Sequence, residues 1–549
     1  MSKTSVVVRL MEGDRLECHV VSPRRETLTL TGRVGQLEPD TVEGSHLLTG
    51  NPSLVTNAWA FAKFTHLTVS LPSQDEQKAA AKRAEAHQEM TEWIADLADD
   101  PERTTKGGWC SGCFEDADHH KMNMPLGHLP AYLCSACGTP TLPCAAPGCE
   151  IMAIRERGGL RMPRYCAEHR HDIPSFAKAA DKMASLSDYE TFLEFEKANL
   201  SKATKLAGVA ISSIALAAPA ALLAAPAIGG AVGTLVGGYS GAAASSYGLA
   251  LLGGGSLAAG GLGMAGGAAV VTAFGGALGG AVGASVMNAY VREDDSFHIE
   301  LLQGGRGVPV VVCNGFLSES DRGWGEWRNL VTTRYPDSPV YRVHWGAKEL
   351  KDLGILASFG PAKLAGAAAI KEAALSATKV GAKKLGPLGP VLFAAQLAKN
   401  PWHVAKVRAN KTGAVVADLL ARTEVDSYVL IGHSLGARAM VVAAQALGTK
   451  KEGDGPRIEA MHLTGAAIGA ESDWDTLTAR VDDAVYNYHS TDDNVLKYLY
   501  TVAEIGQPAA GLGGFVSGSS KELNPKVRNI DVSAQVERHS DYYENVTFL

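Results

Sequence analysis

The sequence predicts a doubly wound, mostly parallel α/β domain in its C-terminal half, preceded by regions of three other kinds. Three observations carry this. From residue 300 onward, short apolar strands alternate with helical stretches, the pattern of a parallel sheet. One of those strands, Tyr428–Ile431, runs into Gly432-His433-Ser434-Leu435-Gly436 and then into the helical ARAMVVAAQAL. Upstream the composition is uneven: seven of nine cysteines fall between Cys110 and Cys166, and the 86 residues between Lys205 and Arg292 contain no Asp, Glu, Lys or Arg.

At roughly 150 residues per domain, 549 residues suggest three to four domains. The net charge of −7 argues against a dedicated nucleic-acid binder, whose footprint is usually strongly basic. The opening MSKTSVVVRLMEGDRLE lacks the long apolar run of a signal peptide. The cysteines are therefore expected to meet a reducing compartment, which favours metal over disulfides.

Residues 1–72 read as a small β-rich module, from the β-branched runs Ser5–Arg9, Leu16–Val21, Thr27–Thr31 and His66–Leu71. Residues 73–105 read as a helical linker: good helix formers fill 74–98, and Pro101 ends the run. A second helical linker is expected over 173–205.

Residues 106–172 read as a zinc-binding region. Cys110 and Cys113 form one C-x2-C pair, and Cys134 and Cys137 form another. Four thiolates in two close pairs suit a tetrahedral zinc ion. Cys144 and Cys149, then Cys166 and His169, make a second four-ligand set, although the two sets can also interleave. Two complete sets leave no open position for catalysis, so the expected role is folding or binding of a protein partner. His119, His120, His128 and His171 are left as surface histidines, and Cys18 and Cys313 stand alone.

The charge-free segment, 206–291, is long enough for two to four spans of ~20 apolar residues. Leu206–Ala225 fits one. Gly229, Gly233, Gly237 and Gly241 recur every four residues, as do Gly275, Gly279 and Gly283. On a helix these form stripes that allow close backbone approach, the small-xxx-small mode of membrane helix packing. Lys197, Lys202, Lys205 and Arg292 flank the segment, which suits an even number of crossings with both flanks cytoplasmic. The competing reading is a Gly/Ala-packed helical hairpin buried within the protein.

Within 300–549, Val308–Cys313 is an apolar strand followed by Asn314-Gly315-Phe316. G-x-S-x-G between a strand and a helix is the context of a nucleophile elbow, and so of an α/β-hydrolase fold. The chain order of that fold is serine, acid, histidine. Ser434 is the expected nucleophile. The strand Ala484–Tyr488 leads into HSTDDNVL, where Asp492 and Asp493 compete as the acid; Asp473, Asp475, Asp482 and Asp483 are less well placed. His539 follows the last strand, Val527–Val532, where the general base belongs, whereas His489 precedes the acid. Ser434 would attack an acyl carbonyl, His539 would carry the proton, and the aspartate would hold the imidazole tautomer. The oxyanion needs two N–H donors, expected from Leu435 and from Phe316 in the N-G-F loop. Residues 348–411, rich in Ala, Leu and Lys, read as a helical cap insertion.

Taken in order, the Gly-rich segment, VVVCNGFLSESDRGWGEW, VHWGAKELKDLG, NPWHVAKVRANKTG, LIGHSLGAR, YHSTDDNVLKYLY and VERHSDYYENV resemble the transmembrane-and-coiled-coil-domain α/β-hydrolases, a largely uncharacterised family. The likeness covers roughly residues 200–549. It implies a membrane-associated, lipase-like esterase with Asp493, ahead of NVLKYLY, as the acid. The sequence departs from the family at the oxyanion loop, where NGF stands in place of SGW.

The expected function is a serine hydrolase at a membrane, cleaving a lipid or other acyl ester, with structural zinc and no catalytic cofactor. The zinc region and the hydrolase would both lie on the cytoplasmic side. Two other classes fit the same residues: an inactive zinc-module scaffold, and a membrane-inserting, lipase-type toxin or secreted effector.

Overall fold

The computed structural model describes residues 3–192 apart from 13, 35–37, 71–73, 126–127, 156–163, 170–172 and 174. It further describes 278, 279, 287, 294, 296–315, 322–346, 389–448, 450, 453, 455–470, 474–500, 508–516 and 522–549. These residues form two compact units. One runs through Asp181; the other takes up Lys182–Glu190 and the chain from residue 294 onward.

The first unit opens with an antiparallel meander of β1 (Ser5–Leu10), β2 (Arg15–Val21), β3 (Thr27–Arg33) and β4 (Thr41–Gly44). Strict alternation in β2 and β3 turns Leu16, Cys18, Val20, Leu28 and Leu30 to one buried face. That face shares its core with α1 (Pro52–Ser70) and α2 (Gln74–Ala98) through Leu54, Trp59, Phe64 and Ile94. The expected strand His66–Leu71 is therefore corrected: His66–Ser70 is the last turn of α1. Helical packing overrides the β propensity of Thr65, Thr68 and Val69, and the Thr68 hydroxyl donates back to the Thr65 carbonyl at 2.7 Å. Nor is 73–105 a linker, since α2 packs in this core.

A second antiparallel sheet follows in the order β5 (Pro101–Trp109), β6 (Asp116–Met122), β7 (Ala131–Cys134), β8 (Pro140–Pro143) and β9 (Met152–Ile154). In the expected linker 173–205, the described helices are short, Phe176–Ala180 and Tyr189–Phe192.

The second unit is built on seven strands: β10 (His298–Gln303), β11 (Val310–Cys313), β12 (Val340–His344), β13 (Ser427–His433), β14 (Arg457–Thr464), β15 (Val485–His489) and β16 (Val527–Asp531). Their order is β10-β12-β11-β13-β14-β15-β16. On one face, Trp327, Leu330 and Val331 of α3 (Trp327–Arg334) and Tyr542 and Tyr543 of α6 (Tyr542–Asn545) pack on Val310, Val312, Val429 and Ile431. Elsewhere α4 (Gly389–Arg422) packs against α5 (Leu435–Gly448), and α5 packs against β11 and β13. α4 runs as one helix through the expected cap boundary at 411.

The expected fold class needs correction on two counts. The sheet is mixed: β10 pairs antiparallel with β12 at one edge, while the other pairings are parallel. Among the described residues, no helix is long and apolar enough to cross a membrane. The expected membrane segment 206–291 lies outside the described residues except for Leu278, Gly279 and Met287. None of the described helices supplies the transmembrane part of the expected fold.

Candidate active site and metal centres

Because β11 to β16 run parallel, their carboxyl ends lie at one end of the sheet, where crevices of open α/β sheets bind ligands. Ser434 sits at that end between β13 and α5, with φ of +57°, a left-handed conformation uncommon for a residue with a side chain. Two glycines let the turn close this tightly. A Cβ at Gly432 would lie 2.4 Å from the Ala437 Cα, and one at Gly436 would lie 2.0 Å from the Cys313 carbonyl oxygen. The Ser434 N–H donates to the Thr464 carbonyl at 3.0 Å, and Ala467 N–H donates to the Ser434 carbonyl at 3.1 Å. The turn is thus tied to the loop after β14. The Ser434 hydroxyl is buried and has no hydrogen-bond partner among the described residues. Leu435 opens α5, so its N–H is a first-turn donor that no carbonyl of its own helix can take.

His539 Nδ1 and Asp493 Oδ2 lie 2.6 Å apart, and both side chains are buried. The other Asp493 oxygen accepts from the N–H groups of Val495 and Leu496, each at 3.1 Å. Asp492, one residue earlier, faces solvent. His489 ends β15 in register with Asp531. Bonding Nδ1 to the carboxylate directs proton exchange to Nε2. The His433 ring, adjacent in sequence to Ser434, stands 4.6 Å from the His539 ring and bonds the Thr464 hydroxyl at 3.1 Å. Burial, and then the neighbouring His539, hold His433 well below the usual histidine range, so it stays neutral.

Phe316, the second expected oxyanion donor, lies outside the described residues. The two residues before it make close contacts. Asn314 Oδ1 accepts from Trp327 Nε1 at 2.6 Å and Arg342 Nε at 3.2 Å, while its Nδ2 donates to the Tyr543 hydroxyl at 3.3 Å. Gly315 borders the serine: a Cβ there would lie 2.8 Å from Ser434 Oγ. Sequence reasoning missed His433, Tyr542 and Arg342. His433 stood inside the elbow motif and Tyr542 inside VERHSDYYENV, whereas Arg342 is brought in by packing.

In the first unit, Cys110, Cys113, Cys134 and Cys137 form one group that can hold a metal ion, and Cys144, Cys149, Cys166 and His169 form another. The order along the chain is also the grouping in space, without interleaving. Sulfurs of Cys110 and Cys137 lie 3.9 Å apart, as do those of Cys113 and Cys134; Cys149 and Cys166 are 3.8 Å apart. Metal–sulfur bonds of ~2.3 Å in a tetrahedron give sulfur–sulfur edges of ~3.8 Å. A disulfide would need ~2.05 Å. His169 Nδ1 lies 3.1 Å from the Cys166 sulfur and 3.6 Å from that of Cys144. Hydrogen bonding with Cys113 holds the Cys110 thiol down to about 6, and with Cys166 the Cys144 thiol down to about 5, so each set readily supplies a thiolate. His119, expected at the surface, is instead buried.

The chain belongs to a family described as "Protein of unknown function (DUF726)", which matches residues 199–549. That family takes in the elbow, Asp493 and His539, while the cysteine sheet lies outside the match. Its description does not name the transmembrane-and-coiled-coil hydrolases that the motifs resemble. One relative is an uncharacterized membrane protein of Schizosaccharomyces pombe, 30% identical over 156 residues, which is 28% of this chain. The match spans about a fifth (19%) of that relative's length. No solved structure matches the chain, so its fold takes no family name from that source.

Proposed function

We propose that the second unit is a serine hydrolase that cleaves a lipid or other acyl ester. The observation that carries this reading is the buried 2.6 Å contact between His539 and Asp493, at the same sheet end as a serine held at positive φ. In the proposed reaction Ser434 Oγ attacks the acyl carbonyl and passes its proton to His539 Nε2. Asp493 holds the ring and stabilises the imidazolium, and His539 returns the proton to the leaving group. The Leu435 N–H, and a second donor from the loop after β11, would take the oxyanion. The name of the Schizosaccharomyces pombe relative, a membrane protein, supports a membrane as the setting of that substrate.

We also propose zinc as the ion of both cysteine groups. Thiolate-rich, tetrahedral sets favour it, and neither set leaves a position open for catalysis. The test of the hydrolase reading is covalent labelling by a fluorophosphonate. Wild type should label and Ser434→Ala should not. An unlabelled wild type, or a labelled Ser434→Ala, overturns the assignment.

A further inference from the structure

A third cluster of ligand-type side chains lies in the second unit. His298 and Glu300 are two residues apart on β10 and so project from the same face of the edge strand. The antiparallel register sets His298 directly opposite His344, the last residue of β12. One donor atom from each of the three side chains lies within 4.8 Å of the other two. His344 Nε2 and Glu300 Oε2 are 3.0 Å apart, about the separation of neighbouring ligand atoms around a first-row ion with bonds of ~2.1 Å.

The surroundings prepare His298 as a ligand. Its Nδ1 lies 3.0 Å from the Ser296 carbonyl, a contact in which Nδ1 must carry the hydrogen and donate. Nε2 then bears a lone pair. That atom is buried and has no hydrogen-bond partner among the described residues. Metal-bound histidines are oriented in this way, the far nitrogen donating to a carbonyl. Ser296 is held in turn by Asp294, whose Oδ1 accepts from its N–H at 3.1 Å and its hydroxyl at 2.5 Å. Glu300 is fixed by the Gly323 N–H, 2.9 Å from Oε2 and 3.1 Å from Oε1. The two imidazoles stack in parallel with centroids 4.0 Å apart. An ion shared by both must lie near each ring plane, so binding tilts one ring out of the stack.

We propose that His298, Glu300 and His344 form a divalent-cation site of the two-histidine, one-carboxylate kind, suited to zinc and its first-row neighbours. The ion would clamp edge strand β10 onto β12. Three protein ligands leave at least one position open to water or to an anionic group. The site lies at the sheet end that carries Ser434, with β11 between, so about 10 Å of sheet separates β12 from β13. The proposal is independent of the hydrolase reading.

The test uses the full chain loaded with zinc and then treated with a mercurial, which displaces ions held by thiolates. Wild type should keep one zinc ion per chain that Glu300→Gln and His298→Ala lose. Zinc affinity in those variants should fall about a hundredfold or more, since even outer-shell changes cost 10–100-fold. Added zinc should raise the melting temperature of the wild type's second unit and leave that of Glu300→Gln unchanged. Glu300→Gln keeps the shape and hydrogen-bonding capacity of the site, so loss of folding does not obscure the result. A wild type with no zinc left after the mercurial, or equal zinc binding by wild type and Glu300→Gln, overturns the proposal and leaves a hydrogen-bonded histidine–glutamate pair.

Discussion

Around the first cysteine group, the buried cluster consists of Cys110, Cys113, Cys134 and Cys137 themselves, with Ala117 and Ala136 packed on it among the described residues. Around the second, Cys144 and Cys166 are joined by Ala146, with Cys149, Ile151 and Tyr165 packed on it. In the seven-stranded sheet, Ser434, Asp493 and His539 stand instead at the end of a core of valines, Trp327 and tyrosines. If the two groups hold zinc as proposed, its binding free energy adds to that region's stability, beside the buried side chains of β7, β8 and β9. In the proposed reading, the seven-stranded sheet would keep its shape with or without a working triad. The first region would then tie stability to its ligands, and the second would separate the two.

That contrast can be broken most directly by removing metal. Structural zinc contributes on the order of 10 kcal/mol in small zinc modules. Chelation, or Cys110→Ser, should therefore unfold the β5–β9 sheet, as followed by near-UV circular dichroism and elemental analysis. Fluorophosphonate labelling of Ser434 should persist. If serine labelling disappears together with the metal, the two regions are not separable.

The reverse experiment removes chemistry and keeps the fold. Ser434→Ala and Asp493→Asn should each lower ester turnover by about 10⁴-fold, the scale of triad losses, with unchanged unfolding curves. Asp492→Asn, at the solvent-facing neighbour, should leave turnover within about twofold of wild type in the same assay. A larger loss at 492 than at 493 would move the acid.

Smaller effects sharpen the comparison between the two units. Gly436→Ala pushes a methyl group onto the Cys313 carbonyl and should destabilise the unit by about 3 kcal/mol in denaturant titrations. No comparable loss is expected at Gly148, where a Cβ meets nothing within 4 Å, apart from the strain of its φ of +75°.

The last prediction concerns acid. His462 is caged by Tyr486, Tyr488 and Phe548 and bonded to the Tyr335 hydroxyl at 2.7 Å. Burial lowers it from 6.5 to about 3. The unfolded chain then binds a proton that the folded chain refuses between those values. Stability is complete above pH 6.5 and falls as pH drops toward 3. His462→Gln should flatten that slope by close to one proton, measured as unfolding free energy against pH. An unchanged slope would mean that the ring accepts the proton inside the fold.

Local features are legible in the sequence. The strand, tight turn and helix around Ser434 are contiguous, and the C-x2-C pairs announce themselves by spacing. Features that depend on contacts distant along the chain are not. The residues alone leave Asp492 and Asp493 open, and the resemblance at NVLKYLY is what selects Asp493; which carboxylate turns inward is set by contacts that spacing does not record. The β-branched His66–Leu71 reads as a strand until α2 offers a helical partner. His298, Glu300 and His344 carry no signal along the chain because strand register, not spacing, assembles them.

Asp493 divides its two oxygens between different duties. One receives the N–H groups of Val495 and Leu496 and starts the π-helical turn Val495–Tyr500; the other faces His539. In the proposed hydrolase, architecture and reactivity would thus share a single side chain. A descendant that abandoned the serine would still need an acceptor at 493 to shape the turn. In lineages that drift toward inactivity, this position should be the last of the three to change, and Asn the first replacement it accepts. An intact aspartate in a relative would then testify to ancestry of the fold and say nothing about whether the hydroxyl is still in use.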